Sequence, residues 1–74
     1  MEIKEFIEKF AEAIEVMDIS TLTAETHFHD LDEWSSLSVI LTIAFFDEEF
    51  GKEITQVHIK EATTIQDLYE LTIA

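Results

Sequence analysis

The side chains with the clearest chemical use in this chain lie between residues 27 and 37, where His27-Phe28-His29-Asp30-Leu31-Asp32-Glu33 runs into Trp34-Ser35-Ser36-Leu37. The serines stand where a helical pattern begins. The first backbone N–H groups of a helix lack partners and its dipole favours negative charge there, so a phosphate ester on one of these hydroxyls would be well placed. The structural alternative is that both serines only cap, since serine is a preferred N-cap and one such cap stabilises by about 1 kcal/mol. The histidines and acids before them are metal-ligand types. The calcium-loop template fails, because it needs an oxygen ligand where Trp34 stands, a glycine at Ser35 and a closing Glu at Leu41. His27 and His29 could hold zinc with a carboxylate, but no third strong ligand has a fixed place. Ser36 with a His and an Asp suggests a hydrolytic triad, yet neither a Gly-x-Ser-x-Gly elbow nor a Gly-rich oxyanion loop is present. His58, between Val57 and Ile59, reads as a rim histidine. A second charged feature, Asp47-Glu48-Glu49, falls in the last turn of a predicted helix, where each acid costs roughly 0.3–1 kcal/mol against the dipole. That placement suggests a surface kept for a basic partner; the alternative is a solvated face of a generally acidic protein.

The elements that must position these groups are legible from periodicity. Residues 2–17 carry Ile3, Phe6, Ile7, Phe10, Ala13, Ile14 and Met17 at three-and-four spacing, which predicts an amphipathic helix, with Lys4–Glu8 and Glu5–Lys9 pairing across its outer turns. Residues 18–35 lose that period and gather Ser, Thr and Asp, which predicts a long loop or one hiding a short helical turn, pinned by Leu22, Phe28, Leu31 and Trp34. Ser36 to Phe50 is helical again and stops at Gly51, the only glycine. At 100° per residue, Val39, Ile43, Phe46 and Phe50 share one arc with Phe45 on its flank, and Leu37, Ile40, Leu41 and Ala44 form a second. Such a helix is either central to a bundle or offers its second arc to another protein. Ile54 to Ala62 suits one or two turns. Thr63 or Thr64 then caps a last helix, with Gln66 or Asp67 as reciprocal partner and Ile65, Leu68, Tyr69 and Ile73 on its apolar side. The expected fold is all-α, a single four-helix bundle over residues 1–74 with a long first loop and a short third helix.

Composition limits what such a bundle does. With 74 residues, no Cys and no Pro, the chain depends on packing alone for stability, and its 47% hydrophobic residues are largely committed to one core. A large catalytic cleft is not expected. Seventeen acids against four Lys and Arg give a formal net charge of −13, which repels nucleic acid and anionic membranes and attracts a partner with a basic patch. The N-terminus lacks the pattern of a signal peptide, and no run approaches the ~20 apolar residues of a membrane span, so the expected compartment is the cytoplasm.

Taken in order, Asp30-Leu31, Ser35-Ser36-Leu37, Asp47-Glu48-Glu49-Phe50-Gly51, Glu53-Ile54 and Thr63-Thr64-Ile65-Gln66-Asp67-Leu68 resemble the acyl carrier protein family over essentially the whole chain. The resemblance implies a monomeric, non-catalytic carrier whose Ser36 accepts 4′-phosphopantetheine from coenzyme A, with Ser35 as the cap. The missing cysteine agrees, since a thioester carrier without a thiol must borrow one. It further implies that Leu37, Ile40, Leu41, Ala44, Asp47 and Glu48 meet the basic patches of a phosphopantetheinyl transferase and of acyl-transferring and condensing enzymes, and that Phe46, Phe50 and Ile54 line a place for the acyl chain. Fatty acid or polyketide synthesis would be the setting. Ser35 stands where the family usually has Asp, Leu41 where an acid is common and Thr42 where an apolar residue is common, which points to a specialised carrier. Trp34 resembles carriers of small acyl or aminoacyl groups, such as D-alanyl carriers. The same acidic and apolar features also suit an adaptor that binds a basic protein without any modification.

Overall fold

The computed structural model describes residues 1–73. The apolar spacing of the first segment forms helix α1, Ile3–Ala13, which turns Phe6, Phe10 and Ala11 inward. It stops short of Met17 because Glu15 takes a left-handed conformation, φ 62°. The Glu15 N–H donates to the Glu12 carbonyl at 3.2 Å and the Val16 N–H to the Ala11 carbonyl at 2.9 Å, the paired bonds of a Schellman ending. This reversal buries Val16 and turns Met17 out to 94% exposure, so Met17 does not belong to the apolar face its spacing predicts. The expected Lys4–Glu8 and Glu5–Lys9 pairs do not form; Lys9 instead reaches Glu49 on the next helix at 3.7 Å.

The long loop holds two 3₁₀ turns, Ile19–Thr21 and Phe28–Asp30. Leu22 and Phe28 are buried and Leu31 and Trp34 half-buried, as anchors should be. At the first turn, Asp18 accepts the Ser20 hydroxyl and, at 3.0 Å, the Ser20 N–H. These bonds to the charged form hold its carboxyl below the usual carboxylate range.

Helix α2, Ser36–Phe50, ends at Gly51, φ 63°, whose N–H donates to the Asp47 carbonyl at 3.0 Å. Helix α3, Gln56–Glu61, and helix α4, Ile65–Ile73, complete four α-helices, and no β-strand occurs among the described residues. α1 packs against both α2 and α4, and α3 against α2. The fully buried side chains include Phe6, Phe10, Phe28, Phe46, Ile59, Ile65 and Leu68. The Phe6 ring lies 5.4–6.1 Å from those of Phe10, Phe45, Phe46, Phe50 and Tyr69, so aromatic packing fills the junction of α1, α2 and α4. Of the last helix's expected apolar side, Ile65 and Leu68 are buried and Tyr69 is half-buried, but Ile73 is 70% exposed.

The inner stripe of α2 differs from the expected arc. Its buried residues are Ser38, Thr42, Phe45 and Phe46, whereas Val39, Ile43 and Phe50 are half-buried. Two hydroxyls face the core because each has a local partner. Thr42 donates to the Ser38 carbonyl at 2.8 Å, and Ser38 donates to the Glu33 carbonyl at 3.2 Å while accepting the Ser35 N–H at 3.1 Å. A satisfied hydroxyl avoids most of the penalty of burial, so hydropathy alone misplaces this stripe by part of a turn.

Candidate functional site

The start of α2 separates its two serines by role. Ser35 is the N-cap, in extended backbone at φ −151°, and forms a reciprocal capping box with Ser38. Ser36 is the first helical residue. It is exposed, and its hydroxyl has no hydrogen-bond partner among the described residues. The backbone N–H groups of Ser36 and Leu37 likewise have no acceptor there. A free hydroxyl thus sits beside two free donors at the positive end of a fifteen-residue helix.

Below Ser36, α2 carries an exposed ridge. Leu37 and Ile40 are 55% and 59% exposed, Ala44, Asp47 and Glu48 are exposed, and Leu41 is half-buried. The ridge is flanked by two grooves. One, towards α1, is lined by Ala13, Leu41, Ala44 and Phe45 with Lys9, Glu12, Glu48 and Glu49 on its rim. The other, towards the segment before α3, is lined by Ile40, Ile43, Ala44 and Ile54 with Asp47 and Glu53. Apolar side chains between acids offer contact area and a field that orients a basic partner. No basic residue lies in the last turn of α2, so the dipole cost of its acids stands, eased at Glu49 by Lys9.

The histidines do not converge. His27 Nδ1 lies 4.0 Å from Asp30 Oδ2, while the His29 ring packs on Phe28 at 4.2 Å and edge-on to Trp34 at 5.6 Å. No group of three or more His, Cys, Asp or Glu side chains placed to hold a metal occurs among the described residues. No histidine bonds to Ser36, so a triad is not assembled. Among the described residues no helix is long and apolar enough to cross a membrane.

Two features escaped the sequence reading. Thr55 and His58 form a capping box at α3, the Thr55 N–H donating to His58 Nδ1 at 3.0 Å, which gives His58 a structural task. The spacing Thr-x-x-His was a usable signal, parallel to Ser35-x-x-Ser38 and Thr64-x-x-Asp67. The second is a cleft of about 260 Å³ lined by His29, Val39, Gln56, Ile59 and Lys60. Its walls come from three separated segments, which no local pattern links.

No family model, curated protein or solved structure matches this chain.

Proposed function

We propose that the chain is a carrier protein of the acyl-carrier type, holding acyl groups as thioesters on a 4′-phosphopantetheine arm at Ser36 and presenting them to successive enzymes. The observation that carries this reading is the Ser36 hydroxyl, exposed and unbonded at the first helical position of α2 while its neighbour Ser35 does the capping. A donor enzyme can reach that oxygen. Once esterified, the phosphate would lie beside the free N–H groups of Ser36 and Leu37, where the helix dipole favours an anion.

The fit to the arm rests on these same atoms. The arm would supply the thiol that the chain, without cysteine, cannot supply. The protein's own residues bind and orient. Leu37, Ile40 and Ala44 give a partner enzyme apolar contact, Leu41 forms the groove floor towards α1, and Asp47 and Glu48 align the partner's basic patch. The acids of a chain at −13 also speed encounter with such partners, with an on-rate that falls as salt rises.

Incubation with coenzyme A and a broad-specificity phosphopantetheinyl transferase, followed by intact-mass measurement, tests the proposal. The expected result is one added phosphopantetheine, lost in Ser36→Ala and kept in Ser35→Ala. No mass gain with several transferases would favour the other reading, an acidic adaptor using the same ridge unmodified. A gain that survives Ser36→Ala would move the attachment to Ser35.

A further inference from the structure

Charge is distributed unevenly among the clefts of this protein. The two grooves beside the α2 ridge, the cleft between α3 and α4, and the groove under Met17 each have at least one acid in their lining. The cleft between the loop, α2 and α3 has none. In a chain with 17 acids it is lined by two of the few basic side chains, His29 and Lys60, together with the Gln56 amide and the apolar Val39 and Ile59. Asp30 and Glu61, the acids adjacent in sequence to these two residues, do not line it. The Lys60 side chain is exposed and has no ion-pair or hydrogen-bond partner among the described residues, so its charge is available. The His29 imidazole is held in place by its packing on Phe28 and Trp34.

The cleft is reached from Ser36 along one turn of α2. Val39 is three residues along α2 from Ser36, about 4.5 Å of axial rise and nearly one turn, so the two share a side of the helix. Its volume of about 260 Å³ sets the size of an occupant. At about 30 Å³ for each water-sized group, that is room for about eight or nine heavy atoms, the scale of a short acyl group. Its chemistry sets the charge: two apolar side chains suit a short hydrocarbon stem, while an ammonium, an imidazole and an amide among the lining groups, with no carboxylate, suit an anionic end.

We propose that this cleft selects a short acyl group ending in a carboxylate, with Lys60 and His29 as its specificity-determining residues. This rests on the carrier reading, which provides the tether at Ser36. A dicarboxylic half-thioester fits by size and charge. An aminoacyl group of the same length would bring its ammonium against Lys60 and is disfavoured, in contrast to the aminoacyl cargo suggested by Trp34.

Two experiments separate this proposal from the carrier reading. The unmodified chain is titrated with the N-acetylcysteamine thioesters of succinate, butyrate and β-alanine, following the backbone amides of Gln56, Ile59 and Lys60 by NMR. Succinyl is expected to bind about fivefold more tightly than butyryl, the worth of a solvent-exposed charge pair, and β-alanyl most weakly. Lys60→Gln should erase the succinyl advantage, and Lys60→Glu should reverse the order of succinyl and β-alanyl; Lys60 is exposed and unbonded, so both variants keep the fold. The same amides are then followed in chains carrying the unacylated arm or each acyl form. Movement with the unacylated arm or with inorganic phosphate equal to that with succinyl would assign the cleft to the arm's phosphate and overturn the proposal. So would equal binding of the three thioesters, or a succinyl preference unchanged in Lys60→Gln. Failure of any transferase to modify Ser36 would remove the carrier reading, while the titration of the unmodified chain would still decide what the cleft selects.

Discussion

Helices α2 and α4 begin with the same device and finish it differently. Each opens with a hydroxyl N-cap answered three residues later by a side-chain acceptor, Ser35 by Ser38 and Thr64 by Asp67. At α4 the surplus donors are then taken up. The Ile65 N–H donates to the Thr26 carbonyl at 3.1 Å and the Gln66 N–H to the Ala24 carbonyl at 2.9 Å, so the long loop closes that terminus. At α2 the equivalent donors, on Ser36 and Leu37, meet no acceptor among the described residues. A helix start whose N–H groups are consumed by the chain is structural; one whose first hydroxyl and first two N–H groups face solvent is available to chemistry. The difference lies in what the loop covers and not in the capping motif.

The strongest test of that difference is the pair of serine substitutions. Ser36→Ala is expected to abolish phosphopantetheine attachment while leaving stability within about 0.5 kcal/mol, because the side chain is exposed and bonds to nothing. Ser35→Ala should do the opposite, keeping the proposed attachment site and costing about 1 kcal/mol of unfolding free energy as the cap is lost. Intact mass and urea denaturation read the two effects. Equal stability losses in the two variants would erase the distinction drawn between them.

Next in size is the loop that closes α4. Phe28 is fully buried, its ring 6.1 Å from Phe10 and 4.9 Å from Trp34, and it holds the segment that carries Thr26. Phe28→Ala should cost about 3–5 kcal/mol, enough to unfold much of so small a domain. In the milder Phe28→Leu, hydrogen exchange should rise at Ile65 and Gln66 before it rises in the middle of α2. Uniform acceleration would mean that the loop does not act as a separate closure.

A smaller effect separates the two buried hydroxyls beneath the α2 terminus. Ser38→Ala removes the acceptor of the Ser35 N–H and half of the capping box, and should cost about 1–2 kcal/mol. Thr42→Val removes only a donor to a carbonyl that keeps its helical partner, so it should cost under about 1 kcal/mol. Urea midpoints compare them; a larger loss at Thr42 would show that its hydroxyl, and not the capping box, secures the helix.

Much of this was legible in advance, and the misses have identifiable causes. The end of α2 at Gly51 and the anchors Leu22, Phe28, Leu31 and Trp34 follow from residue type and spacing, whereas spacing alone let both serines cap and only the family resemblance singled out Ser35 as the N-cap. The early end of α1 does not, because Glu15 adopts a left-handed conformation at which glycine is usual, and that choice is enforced by burying Val16. The inner stripe of α2 was hidden because the helix is apolar on nearly every side while its core face includes Ser38 and Thr42. The acid-free cleft was invisible since His29, Val39 and Lys60 meet only in three dimensions.

The smallest expected effect is a pH dependence that one terminus has and the other lacks. Asp67 accepts the N–H groups of Thr63 at 2.9 Å and Thr64 at 3.0 Å, and these bonds hold its carboxyl below the usual carboxylate range. Below the unfolded value, near pH 4, the unfolded chain binds the proton more readily than the folded one. Stability from this box is therefore complete above that pH and is lost as pH falls through the folded value. The group is well solvated, so the amplitude is small, and it is superimposed on the relief of repulsion as other acids protonate. The comparison that isolates it is wild type minus Asp67→Asn: the difference should be constant from pH 7 down to about 5 and shrink below about 4. The same subtraction with Ser38→Ala, whose capping box at α2 contains no titrating group, should remain flat across the range. Parallel curves for the two variants would mean that the carboxylate at α4 contributes nothing a neutral acceptor does not, and that the two termini differ only in what the loop covers.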